Sequence, residues 1–120
     1  MSTRCQIGFY DNDGLPLDEW DALIYRHSDG YPDGDGGICA TVGPILAKMR
    51  DRRDTECSAA ELVAAMIGRG EEVIGITKGL HGDEEYFYAV SPQRMRCFEI
   101  NGKDFSAMKE LPEHEVKFVP

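Results

Sequence analysis

No apolar run in this chain approaches the roughly 20 residues a helix needs to cross a bilayer; the longest, Leu-Val-Ala-Ala-Met-Ile, covers only residues 62–67. A helical membrane span is therefore excluded. Met1, Ser2, Thr3, Arg4 and Cys5 lead directly into an alternating pattern, without the apolar stretch of a secretory signal, so the cytoplasm is the expected compartment. Cysteine is sparse: Cys5, Cys39, Cys57 and Cys97 are widely spread and form no CxxC pair, which favours free thiols at small apolar positions over a disulfide framework. The GxGxxG, P-loop, GxSxG and HExxH patterns are all missing, which removes the common nucleotide, hydrolase and zincin signatures. Basic residues are also short, 13 against 22 acids, for a formal net charge of −9. Such a field repels phosphates and acidic membrane surfaces, and the one basic concentration (Lys48, Arg50, Arg52, Arg53) is interrupted by Asp51 and followed by Asp54. Direct nucleic-acid binding is not expected, nor is membrane association.

What is present describes an ordinary globular chain. With 120 residues, 42% hydrophobic and 29% charged, one domain spanning residues 1–120 is expected. Acid gathers at one end, where residues 1–35 hold eight acidic side chains against Arg4 and Arg26. Acidity of this kind attracts cations and basic protein surfaces.

Cys5, Ile7 and Phe9 alternate with Gln6, Gly8 and Tyr10 before the turn sequence Asp11, Asn12, Asp13, Gly14, and residues 22–27 have strand content, which predicts a hairpin with a long loop. The glycine-rich residues 28–37 form a loop. Ile38, Val42, Ile45, Leu46 and Met49 then make a helical stripe; Pro44 requires either that the regular helix start near Gly43 or that it kink there. Ser58 and Glu61 form a capping box for a second helix that the Gly68 to Gly70 region ends. Residues 73–77, 86–90 and 96–100 read as strands, Asn101 and Gly102 as a turn, and 115–119 as a further edge strand. The order β-β-α-α-β-β-β, with that last β, predicts an α+β fold: an antiparallel sheet with two helices packed on one face.

The densest polar constellation lies in residues 25–37. Tyr25, Arg26, His27, Asp29, Tyr31 and Asp33 place an imidazole, two carboxylates, a guanidinium and two phenols at a strand exit, where sites are usually built. His27 can act as acid or base with Asp29 orienting it, and strand alternation lets Tyr25 and His27 share a site while Arg26 points away. Asp29-Gly30 and Asp33-Gly34 are equally good turn formers. A regular EF-hand is rejected, because a loop starting at Asp29 puts Tyr31 at position three and Ala40 at twelve, and one starting at Asp11 puts Leu15 at five. His27, Cys39, His81 and Cys97 lack zinc-site spacing, so no metal or cofactor is expected. Two nucleophiles stay open: a cysteine meeting His27 or His81, and Ser2 after loss of Met1.

Ser2, Thr3, Arg4 and Ile7, together with the Tyr-Arg-His-x-Asp-Gly-Tyr-Pro signature of residues 25–32, resemble an uncharacterised family of small phage and bacterial proteins. The resemblance covers about the first third of the chain and implies an accessory or anti-defence role, such as inhibition of a CRISPR effector. It also suggests that Arg4 lies near the signature and pairs with an aspartate there. A second acidic and aromatic stretch, residues 80–88, offers a basic partner a contact surface.

These observations leave three expectations open. One is a non-enzymatic binder of a basic host protein or protein–nucleic-acid complex, using Arg4, Tyr25, Arg26, His27, Asp29, Tyr31 and Asp33. Another is an enzyme or small-ligand binder with His27 as acid or base. The third is a structural homodimer, which requires a large apolar interface between copies.

Overall fold

The computed structural model describes residues 3–27, 30–34, 37–48, 55–68, 70, 74–100 and 108–118. Strands β1 (Cys5–Phe9) and β2 (Ala22–Arg26) pair antiparallel, Cys5 opposite Arg26 and Phe9 opposite Ala22, as the alternation and long loop predict. Helices α1 (Ile38–Thr41), α2 (Gly43–Lys48) and α3 (Thr55–Gly68) follow, then β3 (Ile74–Ile76), β4 (Tyr86–Val90), β5 (Arg94–Glu99), β6 (Lys109–Glu110), a 3-10 turn (Pro112–His114) and β7 (Val116–Lys117). The fold is α+β, with the helices packed against one face of a seven-stranded sheet.

The strand order is β3-β2-β1-β4-β5-β6, with β7 also pairing with β5. This differs from a simple meander, and the sheet is mixed rather than wholly antiparallel. β3 pairs with β2 at the outer edge instead of with β4, and β1 lies between, parallel to β4 with Cys5 opposite Tyr86. The helices join the antiparallel neighbours β2 and β3, and the chain reaches the parallel strand β4 by crossing from β3 to the other side of β1. β3 and β4 are separated by three strand spacings, about 14 Å, so residues 77–85 are a crossing segment and not a hairpin turn.

Each face of the sheet carries a buried apolar cluster. On the helix side, Cys5, Ile7, Phe9, Ile24, Tyr88, Val90, Met95 and Cys97 meet Ile38, Val42, Leu46, Ala59, Leu62 and Met66. On the other, Tyr10, Leu23, Phe87, Ala89 and Phe98 are covered by Leu15, Leu17, Trp20, Leu80 and Met108. Gly8 makes room there: a Cβ would stand 2.8 Å from Phe87 Cζ. The Tyr10 hydroxyl donates to the Leu17 carbonyl at 2.6 Å and holds the covering loop down.

The first expected helix is built as two pieces. α1 stops at Thr41, Pro44 is the second residue of α2, and the Val42 and Leu46 amides donate to the Ile38 and Val42 carbonyls. The proline thus sits in a first turn, where its missing N–H costs little. The stripe of Ile38, Val42 and Leu46 is buried as expected. Ser58 does not cap α3: the helix begins at Thr55, whose hydroxyl donates to Asp11 Oδ1 at 3.0 Å, and Ser58 is carried inside it and buried. β6 was not legible, being two residues long; Glu110 is held there by Arg96 through contacts of 2.7 and 2.9 Å. The expected turn at Asn101 and Gly102 and the strand positions Val73 and Val119 lie outside the described residues. Among the described residues no helix is long and apolar enough to cross a membrane.

Candidate functional site

The segment from residue 25 to 37 divides between the two faces of the sheet. Tyr25 stands opposite Gln6, on the face away from the helices, and His27 joins it within reach of Arg4. Arg26 points the other way and is buried to 4% exposure, so it takes no part in a surface with His27. Gly30 is already behind β1: its amide donates to the Thr3 carbonyl at 2.9 Å, and its carbonyl accepts from the Tyr88 hydroxyl at 2.6 Å. From there the backbone is tied to α1, with the Ile38 and Cys39 amides donating to the Tyr31 and Pro32 carbonyls. The backbone around Tyr31 and Asp33 therefore serves as the lead into the first helix. Asp29, the expected orienting carboxylate, lies outside the described residues, as does Ser2.

The residues that do meet Tyr25 and His27 come from the crossing segment 77–85. The Tyr25 and His81 rings stack with centroids 4.0 Å apart and 17° between planes. The Tyr25 hydroxyl donates to Asp83 Oδ2 at 3.2 Å, and Arg4 Nε lies 3.4 Å from that oxygen and 3.3 Å from His27 Nδ1. Arg4 does pair with an aspartate, but with Asp83. Because the Arg4 N–H donates to Nδ1, a neutral His27 carries its proton on Nε2. Tyr25 Oη is 3.5 Å from the same Nδ1, yet its single proton is directed to Asp83. Burial, followed by the Asp83 charge and hydrogen bond, raises the Tyr25 pKa against the opposing pull of Arg4, which keeps the phenol neutral. The Arg4 and His81 side chains are 36% and 39% exposed and Asp83 is 50% exposed, so the group forms a half-open surface.

Two buried polar side chains hold this surface in place: Gln6, which the sequence pattern did not single out, and Glu84, read there only as part of the acidic stretch 80–88. Gln6, fully buried, donates through Nε2 to Thr77 Oγ1 (3.0 Å) and the Gly79 carbonyl (3.1 Å), and accepts the His81 amide on Oε1 (3.0 Å). Glu84, 4% exposed, accepts the His81 and Gly82 amides on its two oxygens at 3.0 and 2.9 Å. Their signal in the sequence is faint: a carboxamide at an inward strand position, and a carboxylate two residues after a glycine of positive φ.

Cysteine–histidine nucleophilic chemistry finds no support among the described residues. Cys5 and Cys97 pack in the helix-side core with Cys39 against it, and Cys57 is exposed on α3, so the thiols stand across the sheet from His27 and His81. The four donors weighed for zinc are divided in the same way. Burial pushes the Cys97 thiol up to about 12 and also raises Cys39, whose Sγ donates to the His114 carbonyl at 3.3 Å; both shifts disfavour the reactive thiolate. No protein family, curated protein or solved structure matches this chain.

Proposed function

We propose that the chain is a non-enzymatic binding protein, an accessory protein of phage or mobile-element type that engages a basic surface on a host protein or protein–nucleic-acid complex and thereby inhibits it. The observation that carries this reading is the convergence of Arg4, Tyr25 and His27 with His81 and Asp83. Three segments distant in sequence make one half-exposed surface, already organised by the protein's own hydrogen bonds. Tyrosine and arginine are the residue types on which binding energy concentrates, and a surface that is ordered before contact loses little entropy on docking. Asp83 and the exposed Glu85 supply its acidic margin, and the charge of −9 favours capture of a basic partner. The accessory and anti-defence part of the proposal rests on the resemblance of residues 2–7 and 25–32.

The test is capture of partners from a host lysate on the immobilised chain, followed by salt titration of the purified complex. Asp83→Lys with Glu85→Lys should weaken the complex and flatten its salt dependence. A complex indifferent both to these changes and to salt would overturn the reading.

A second reading, with His27 as acid or base toward a small ligand, is favoured by the imidazole, phenol and carboxylate standing in sequence at His27, Tyr25 and Asp83. It requires His27→Gln to abolish turnover while leaving partner capture intact.

A further inference from the structure

The helix side of the sheet is not covered out to its edge. α3 lies over β2 and β1, but at the outer strand β3 Ile76 is left 83% exposed although its register partner Ile24 is buried. Between α3 and this edge lies an open cleft of about 600 Å³. Ala22, Ile24, Ala59, Val63 and Ile76 give it apolar walls, and Trp20 contributes to its lining while packing on the cluster of the opposite face. Asp21, Glu56 and Lys78 also line it. The Asp21 carboxylate is fixed by the Asp11 amide, which donates to Oδ2 at 3.0 Å.

A cleft of this volume, apolar with a few charged groups, has the character of a small-molecule site. Its charge selects the ligand. Two carboxylates stand against one ammonium, within a chain of net charge −9.

We propose that this cleft binds a small apolar amine, its hydrocarbon body against Ala22, Val63 and Ile76 and its ammonium toward Asp21 and Glu56. The site is separate from the Arg4–Tyr25–Asp83 surface and does not depend on the function proposed for it.

Trp20 is the one tryptophan of the chain, so its emission reports directly on the cleft. The full chain would be titrated with 2-phenylethylamine, with 3-phenylpropionate as the anionic counterpart and ethylamine as a cation without the apolar body, following emission and backbone amide shifts together. A saturable response to phenylethylamine alone is expected. Asp21→Asn and Glu56→Gln should each weaken it about threefold, the range of an exposed charge pair. Ala60→Phe, at an exposed α3 position lining the cleft, should abolish it with the circular dichroism unchanged. Equal responses to all three probes, a response that survives Ala60→Phe, or no shift at cleft residues would overturn the proposal. So would self-association that Ala60→Phe abolishes, since it would assign the cleft to a second copy.

Discussion

Gln6 and His81 are joined across the sheet: the carboxamide oxygen of a fully buried residue in β1 accepts the backbone N–H of a surface histidine 75 residues later, at 3.0 Å. Through this contact a central strand fixes where the crossing segment 77–85 lies, and with it the ring that stacks on Tyr25. The candidate surface thus depends on a residue it does not expose.

Replacing Gln6 by Leu should therefore cost more than an ordinary surface change. It removes the donor from the half-buried Gly79 carbonyl and the Thr77 hydroxyl, while the His81 amide keeps Glu84 Oε2 at 3.0 Å, and a polar group left without its partner costs on the order of 1–3 kcal/mol. A loss of about 1–3 kcal/mol in urea denaturation is expected, with amide exchange accelerated first in residues 77–85. An unchanged midpoint would show that the segment holds its course without Gln6.

The close approach of Gly30 to β1 gives a sharper steric prediction. A Cβ there would stand 2.8 Å from Cys5 Cβ and 2.9 Å from Cys5 N. Gly30→Ala should lower stability by about 1–3 kcal/mol, the usual cost of overpacking. Gly68→Ala, where nothing lies within 4 Å and the residue is helical, should be neutral or stabilising by up to about 1 kcal/mol. Matched thermal melts compare the two, and equal effects would refute the steric account.

Acid should loosen the β6 edge of the sheet, opposite β3. The Arg96 hydrogen bonds lower the Glu110 pKa below its ordinary 4.5. A depressed carboxylate contributes stability that is present above its unfolded pKa and lost as pH falls through the folded one. Both side chains are partly exposed, so the contribution is about 0.5 kcal/mol. Melting temperatures between pH 7 and 3 should fall less steeply for Glu110→Gln than for the native chain; parallel curves would remove the pair from the account.

The thiols carry the opposite sign. Cys97 is raised by burial from 9.0 to about 12, so its stabilising effect is complete below pH 9 and lost as pH climbs toward 12. Buried Tyr10 and Tyr88 are raised too, chiefly by burial, and steepen the same alkaline limb. With a thiol reagent at pH 8, the exposed Cys57 should react first, while Cys5 and Cys97 stay silent until denaturant is added. Rapid native labelling of Cys97 would contradict its burial.

The strands and helices were legible where a side-chain period ran long enough. Cys5, Ile7 and Phe9 announced β1, and Ile38, Val42 and Leu46 the helical stripe. Pairing was less so, because whether β3 seeks β2 or β4 depends on nonlocal contacts such as those of Gln6, and no local pattern encodes them. Part of the site was visible for a similar reason. Alternation put Tyr25 with His27 and turned Arg26 away, but it could not bring His81 and Asp83 from a distant segment, nor show that Gly30 carries Tyr31 and Asp33 toward α1.

The parallel pairing of β1 with β4 also sets a schedule for synthesis. β1 finds β2 almost as soon as both leave the ribosome, but its other edge must wait until residue 90 has emerged. During that interval the nascent chain presents the open side of an apolar hairpin, a surface prone to mispairing with other chains. Nonlocal closure of this kind is slow relative to local hairpin formation. Slow translation before β4 or crowded overexpression should therefore lower the yield of folded protein, even though the finished sheet buries that edge completely.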